Sequence, residues 1–287
     1  MKKRIGAFVL SVCMILELIP TSVYAAEGNE QMKYYTNEAI SVGDVSGNDV
    51  TGGDISENED VSGNGCISEN RGERRELNTS VNNGNIAEGH VDNETECGVD
   101  WVINSEGKLI VSGEGNVQVE KGGYKQVPWK EYHEEILAAE VHLKEITNTS
   151  NFFMNCWYLQ DIDISNLDTS KVTDMSRMFY SCGAHKIDLS TMDTRNVTNM
   201  ESMFAHSSVE ELNLSNFDTS NVTDMGNMFS GCSNLKEINL SSFDTSNVTD
   251  MEEMFANCTN ITELDLSNFD THNVTSMFRM FLPKHII

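Results

Sequence analysis

The nine residues Phe-Asp-Thr-Ser-Asn-Val-Thr-Asp-Met begin at Phe217 and return unchanged at Phe243. A catalytic constellation is built once, whereas a stacked scaffold must present the same face to each neighbour. Aligned on Asp-Thr, the units fall at Asp168, Asp193, Asp218, Asp244 and Asp270, with spacings of 25, 25, 26 and 26. Each continues through Val-Thr-x-Met (Met175, Met200, Met225, Met251, Met277) to Met-Phe (Phe179, Phe204, Phe229, Phe255, Phe281). Phe153 carries the tail of a degenerate first unit. A coil this short cannot bury an apolar side alone, so the units must stack into a solenoid with a continuous core.

Within the unit that starts at Leu235, alternation at Ile238 and Leu240 predicts a short strand with one face inward. Asp244-Thr245-Ser246-Asn247 is turn chemistry. Val248, Met251, Phe255 and Cys258 follow at three- and four-residue steps, the spacing of one helical face, and Thr249 with Glu252 fits a capping box. The expected class is therefore α/β, with a short strand, a turn and a short helix per coil.

The unit resembles the leucine-rich repeat, with Phe where that family's consensus asparagine sits. More specifically, Phe-Asp-Thr-Ser-Asn-Val-Thr-Asp-Met followed by Met-Phe-x-x-Cys is similar to the repeats of BspA-like bacterial surface proteins. The resemblance covers roughly half the chain, residues 146–281, and the block before it is similar to the segment that often precedes such repeats. It implies a secreted or cell-surface repeat protein associated with adhesion, and it implies no catalytic residue.

The rest of the chain divides by composition. Met1-Lys2-Lys3-Arg4, the apolar run from Ile5 to Leu16 and Val23-Tyr24-Ala25 read as a secretory signal over residues 1–26. Residues 27–96 are poor in large apolar side chains and rich in Gly, Asn, Ser, Asp and Glu, which predicts a disordered acidic spacer. Residues 97–146, with short β-type runs at 99–103 and 108–111, read as a small β-rich cap on the open first coil. The solenoid is expected over residues 147–287.

Cys156, Cys182, Cys232 and Cys258 each stand three residues after the repeat's Phe, and Ser207 fills the same slot once. A slot that accepts Ser is a small buried position, so these are expected as buried thiols. Cys66 and Cys97 are left over and have the option of pairing with each other. The outward strand position gives a column, Asp163, Asp188, Asn213, Asn239 and Asp265, spaced by the strand separation of about 5 Å. This column is the candidate binding face. The recurring Asn-Val-Thr triplets at Asn196, Asn221, Asn247 and Asn273 match a glycosylation sequon but follow the repeat phase, so they are read as closing turns.

A formal net charge of -26 disfavours nucleic-acid or anionic-lipid partners. No nucleophile elbow, phosphate loop or zinc spacing occurs, so no enzyme activity, cofactor or metal is expected. No second apolar segment follows the signal, so no membrane span is expected in the mature chain. The expectation is a secreted or cell-surface protein that makes adhesive contact with a protein or glycan on a host or neighbouring cell. The alternative is a structural envelope protein without a defined ligand. After Phe281 the pattern leaves the repeat, which predicts that Val274, Met277 and Phe281 face water, and that the gene product continues or this end self-associates.

Overall fold

The computed structural model describes residues 84–92, 98–121 and 124–282. The expected signal sequence, most of the expected spacer, Cys66, Cys97 and the last five residues lie outside the described residues. The cap is a meander whose last strands become the first rungs of the solenoid. Strands β1 (Ala87–Val91), β2 (Val99–Ile103) and β3 (Lys108–Glu114) pair antiparallel in sequence. A small hairpin, β4 (Val119–Lys121) with β5 (Tyr124–Gln126), leads to a 3-10 turn at Lys130–Tyr132. Then β6 (Ala138–Lys144) lies parallel to β3, and β7 (Asp161–Asp163) parallel to β6. The sheet order β1-β2-β3-β6-β7 thus converts an antiparallel edge into a parallel stack. Strand β1 lies upstream of residue 97, within the stretch whose composition suggests spacer.

Beyond β7 the chain is a β-solenoid of about four turns. Its strand column continues with β8 (Glu211–Leu212) parallel to β9 (Glu237–Ile238). A second column is a ladder of parallel bridges that links Asn148, Asp174, Asn199, Asp224, Asp250 and Ser276 in order. Among the described residues no helix is long and apolar enough to cross a membrane.

The expected helix in each coil is absent, and with it the α/β class. The apolar three- and four-residue steps are real, but a chain of turns produces them. In the Phe229 unit, Met228 N–H donates to Met225 O at 3.2 Å, Ser230 to Asn227 O at 3.0 Å and Cys232 to Phe229 O at 3.1 Å. The residues two before and two after the repeat's Phe have positive φ, as at Arg177 (56°), Ser181 (51°), Ser202 (57°), His206 (60°) and Asn227 (58°). That is the third position of a type II turn. The N–H groups that a helix would direct to residue i−4 go to the adjacent coil instead. Phe179 donates to Met203 O at 2.8 Å and Phe255 to Met280 O at 2.9 Å. Stacking satisfies the backbone, so no helix is needed.

The core is an aromatic spine flanked by methionines. Phe153, Phe179, Phe204, Phe229, Phe255 and Phe281 stack with centroids 5.5 to 6.0 Å apart and planes within 18°. Phe152 and Trp129 close the cap end of the spine, their rings 5.0 Å apart, and the Trp129 indole N–H donates to Phe152 O at 3.0 Å. Trp101 packs behind Trp129 and lies so close over Gly89 that a side chain there has no space. At the far end Met277 and Phe278 are exposed, whereas Phe281 and Val274 are half-buried.

The difference between 25- and 26-residue coils sits at one corner, just after the small slot. The longer coils place two residues there, Trp157-Tyr158, Ser233-Asn234 and Thr259-Asn260. The shorter ones place a single residue, Gly183 or Ser208, whose N–H donates to the cysteine carbonyl of the previous coil.

Cys156, Cys182 and Cys232 are buried free thiols and Cys258 is half-buried. The Cys232 and Cys258 thiols donate to the carbonyls of Phe204 and Phe229 in the preceding coil, each at 3.0 Å. Burial raises all four pKa values, pushing Cys182 up to about 11 and Cys232 up to about 12. Thiolate is the reactive form. Alkylation of native protein at neutral pH is therefore expected to be slow at Cys156, Cys182 and Cys232, faster at Cys258, and complete on unfolding. Peptide mass spectrometry reads the order; rapid native labelling of the buried three contradicts it.

Candidate functional site

Three columns of Asx turns shape each coil. In the strand column Asp163, Asp188, Asn213, Asn239 and Asp265 are all exposed, and each Oδ1 accepts the N–H of the serine two residues on, at 2.9 to 3.2 Å. The serine hydroxyls of Ser165 and Ser215 add bonds of 2.6 and 2.8 Å. These bonds hold Asp163, Asp188 and Asp265 below the usual carboxylate range. The Ser165 and Ser190 hydroxyls are the main cause for the first two, and the Ser267 N–H for the third. All three carboxylates are therefore ionised at neutral pH. A carboxylate with a depressed pKa stabilises the fold above its unfolded pKa, and that contribution is lost as pH falls through the folded one.

Two residues earlier runs a second exposed column: Asp161, Lys186, Glu211, Glu237 and Glu263. Reading for the position between the two core residues passes over it, although counting back by two finds it in every unit. Lys186 is its single cation and reaches Glu211 at 3.7 Å. At the cap end the same surface carries Lys108, paired with Glu140, and His142, 2.6 Å from Glu140. The strand face is thus a two-column acidic ribbon, with its Asp/Asn column held rigid by the turns it makes.

The Asp-Thr-Ser-Asn turn divides its labour. Asp168, Asp193, Asp218, Asp244 and Asp270 cap their own turns. The buried Thr169, Thr194, Thr219 and Thr245 reach forward, each hydroxyl donating to the next coil's Asp carbonyl and accepting that Asp's N–H. Asn196, Asn221, Asn247 and Asn273 reach back, each amide donating at 2.7 Å to a carbonyl one coil earlier. The sequon asparagines are thus rungs between coils, a role beyond the turn closure that their sequence suggests.

The third column contains Asp174, Asn199, Asp224 and Asp250, which cap the N–H of Ser176, Glu201, Gly226 and Glu252. The sequence offers Thr249 and Glu252 as a capping box, but Glu252 N–H goes to Asp250, and Thr249 bonds Thr223 O. Partial burial raises the Asp224 pKa, and the Asp250 and Glu201 charges add to it. A raised carboxylate pKa means the folded state holds the proton more tightly, so stability declines as pH rises through that range. Asp224→Asn keeps the Oδ1 acceptor, as Asn199 does in the same column, and removes the repulsion. It is expected to stabilise by about 0.5 kcal/mol at pH 7. The gain disappears near pH 3, where both variants are neutral; equal urea midpoints at pH 7 contradict it.

Among the described residues no group of three or more His, Cys, Asp or Glu side chains is arranged to hold a metal ion. No curated protein and no solved structure matches the chain. One family profile matches twice, over residues 130–211 and 205–285. The first match opens at the 3-10 turn before β6, so the family unit includes the strand that starts the parallel stack. The two matches start 75 residues apart, close to the length of three coils. Together they span more than half of the 287 residues, and the chain belongs to the family described as Mycoplasma protein of unknown function, DUF285.

Proposed function

We propose that the chain is a secreted or cell-surface binding protein without enzymatic activity, of the BspA-like kind, that makes contact through its polar strand face. The observation that supports this reading is the exposed column Asp163, Asp188, Asn213, Asn239 and Asp265, repeated in register with its acidic companion column. A turn-held Asp/Asn column beside a mostly acidic one suits a partner with a basic, extended surface. Each coil contributes a little, and simultaneous engagement of several coils multiplies the total. The signal-like N-terminus supports export, and the partner class is a protein or glycan on a host or neighbouring cell surface.

The test is binding of the full chain to immobilised basic matrix proteins and to glycan arrays, beside a neutralised variant. Asp163→Asn, Asp188→Asn and Asp265→Asn keep the turn acceptors, as Asn213 and Asn239 do, and Glu211→Gln and Glu237→Gln neutralise the companion column. Binding that weakens with salt and is lost in this variant supports the reading. Undiminished binding by the variant rejects the strand face. Absence of saturable binding to every surface replaces it with the structural envelope alternative.

A further inference from the structure

Half a coil away from the strand face, the turn face carries a depression of about 350 Å³. It is lined by Met154, Arg177 and Tyr180, by the buried Ser202 and Ala205 with His206 of the same coil, and by Asn227 of the next coil. The cause is compositional. Every coil brings the same turn positions to this face, but here the small Ser202 lies between Arg177 and Asn227 of the flanking coils, and Ala205 follows Tyr180 and precedes the small Ser230. Arg177, Ser202, His206 and Asn227 all have φ between 56° and 60°, so a backbone imposed by stacking fixes where their side chains start.

The lining is organised further. The Arg177 guanidinium is held by Glu201 at 2.7 Å. The Tyr180 and His206 rings meet edge to face with centroids 5.5 Å apart. Gly231, at φ 71°, leaves the space that the His206 ring occupies, and a Cβ there would collide with the ring.

From this arrangement the geometry points to a binding subsite for one neutral sugar unit of a glycan, lined by Tyr180, His206, Asn227 and Arg177. A pyranose presents an apolar C–H face beside a rim of hydroxyls. Tyr180 and His206 supply ring surface for the first. Asn227 supplies both a donor and an acceptor for the second, Arg177 supplies donors, and Ser202 supplies a hydroxyl. A neutral unit is favoured over an acidic one because Glu201 already engages the guanidinium, and the chain carries a net charge of -26. The volume suits one ring, and with a single shallow contact the affinity lies in the millimolar range. The site is on a different face from the acidic ribbon and does not rest on it.

Saturation-transfer NMR on the full chain, with galactose, glucose, N-acetylglucosamine and glucuronate as probes, tests the inference. At least one neutral sugar is expected to show saturable transfer, with glucuronate weaker. Tyr180→Ala and Asn227→Gly are expected to weaken that sugar at least tenfold. Glycine suits the positive φ at Asn227, so the fold survives there, and thermal unfolding of both variants checks it. Transfer to none of the probes, a preference for glucuronate, or unchanged binding in both folded variants each overturns the assignment. Any of these results leaves the strand-face reading untouched.

Discussion

Phe204→Ala is expected to lower the unfolding free energy by about 3–5 kcal/mol, the range for removing a buried aromatic ring. Phe204 is fully buried and stacks on Phe179 at 5.5 Å and Phe229 at 5.8 Å, with planes 6° and 2° apart. Those separations exceed the rise between stacked strands, so the rings are slid across one another, the arrangement their quadrupoles favour. Collapse normally relieves part of a cavity's cost, but here the backbone forbids it. Phe179 N–H donates to Met203 O at 2.8 Å and Phe204 N–H to Met228 O at 2.9 Å, so coil spacing is set independently of the ring between. Urea denaturation of the full chain measures the loss, with Phe204→Leu falling between. A loss under about 1.5 kcal/mol would show that the column closes up after all.

Thr219→Val, although nearly isosteric, is expected to cost about 2–3 kcal/mol, because it breaks two bonds and leaves backbone groups without partners. The Thr219 hydroxyl donates to Asp244 O at 2.9 Å and accepts Asp244 N–H at 2.8 Å, and the side chain is fully buried. Thr219→Ser keeps both bonds and should cost less than half as much. Hydrogen exchange at the Asp244 amide gives a local readout, with protection lost in the valine variant and kept in the serine one. A serine variant less stable than the valine one would assign the threonine column to methyl packing instead.

Much of the architecture is legible because stacking leaves a strict periodic record. The inward positions read from the Leu235 unit are buried as expected at Leu235, Leu240, Phe243, Val248, Met251 and Phe255, and Ile238 is half-buried. The helix expectation fails for a physical reason. Turns that close by i to i+3 bonds put apolar residues at the same three- and four-residue steps as a helix. The feature that separates the two is a left-handed residue at the Phe−2 and Phe+2 positions. Asn227 and Gly231 hint at it, but Arg177, Glu253 and Ser181 occupy the same conformation and conceal it. Stacking imposes it against their intrinsic preference.

The strand-face column is legible in its exposure but not in its bonding. An aspartate facing water and an aspartate closing an Asx turn leave the same letter in the sequence. The depression on the turn face leaves no pattern to find, since it arises where the repeat is irregular. Ser202 between Arg177 and Asn227 is an ordinary substitution until the coils are stacked.

The corner that distinguishes 25- from 26-residue coils has an evolutionary consequence. Gain or loss of a residue there changes the period yet leaves the threonine, asparagine and phenylalanine rungs in phase, because the extra residue bulges outside every column. Length variation is therefore nearly silent to the scaffold, but the identity of the single residue in a short corner is not always free: at Gly183 a side chain would collide with the Trp157 carbonyl of the previous coil. Trp157 and Tyr158, 48% and 57% exposed, stand where other coils carry Ser-Asn and Thr-Asn, and the Trp157 ring uses that place to meet His133 of the cap edge to face at 4.9 Å. A fold whose other positions are bound by repetition keeps one place per turn where added length is accommodated, and a loop grafted into a two-residue corner would inherit a rigid mount.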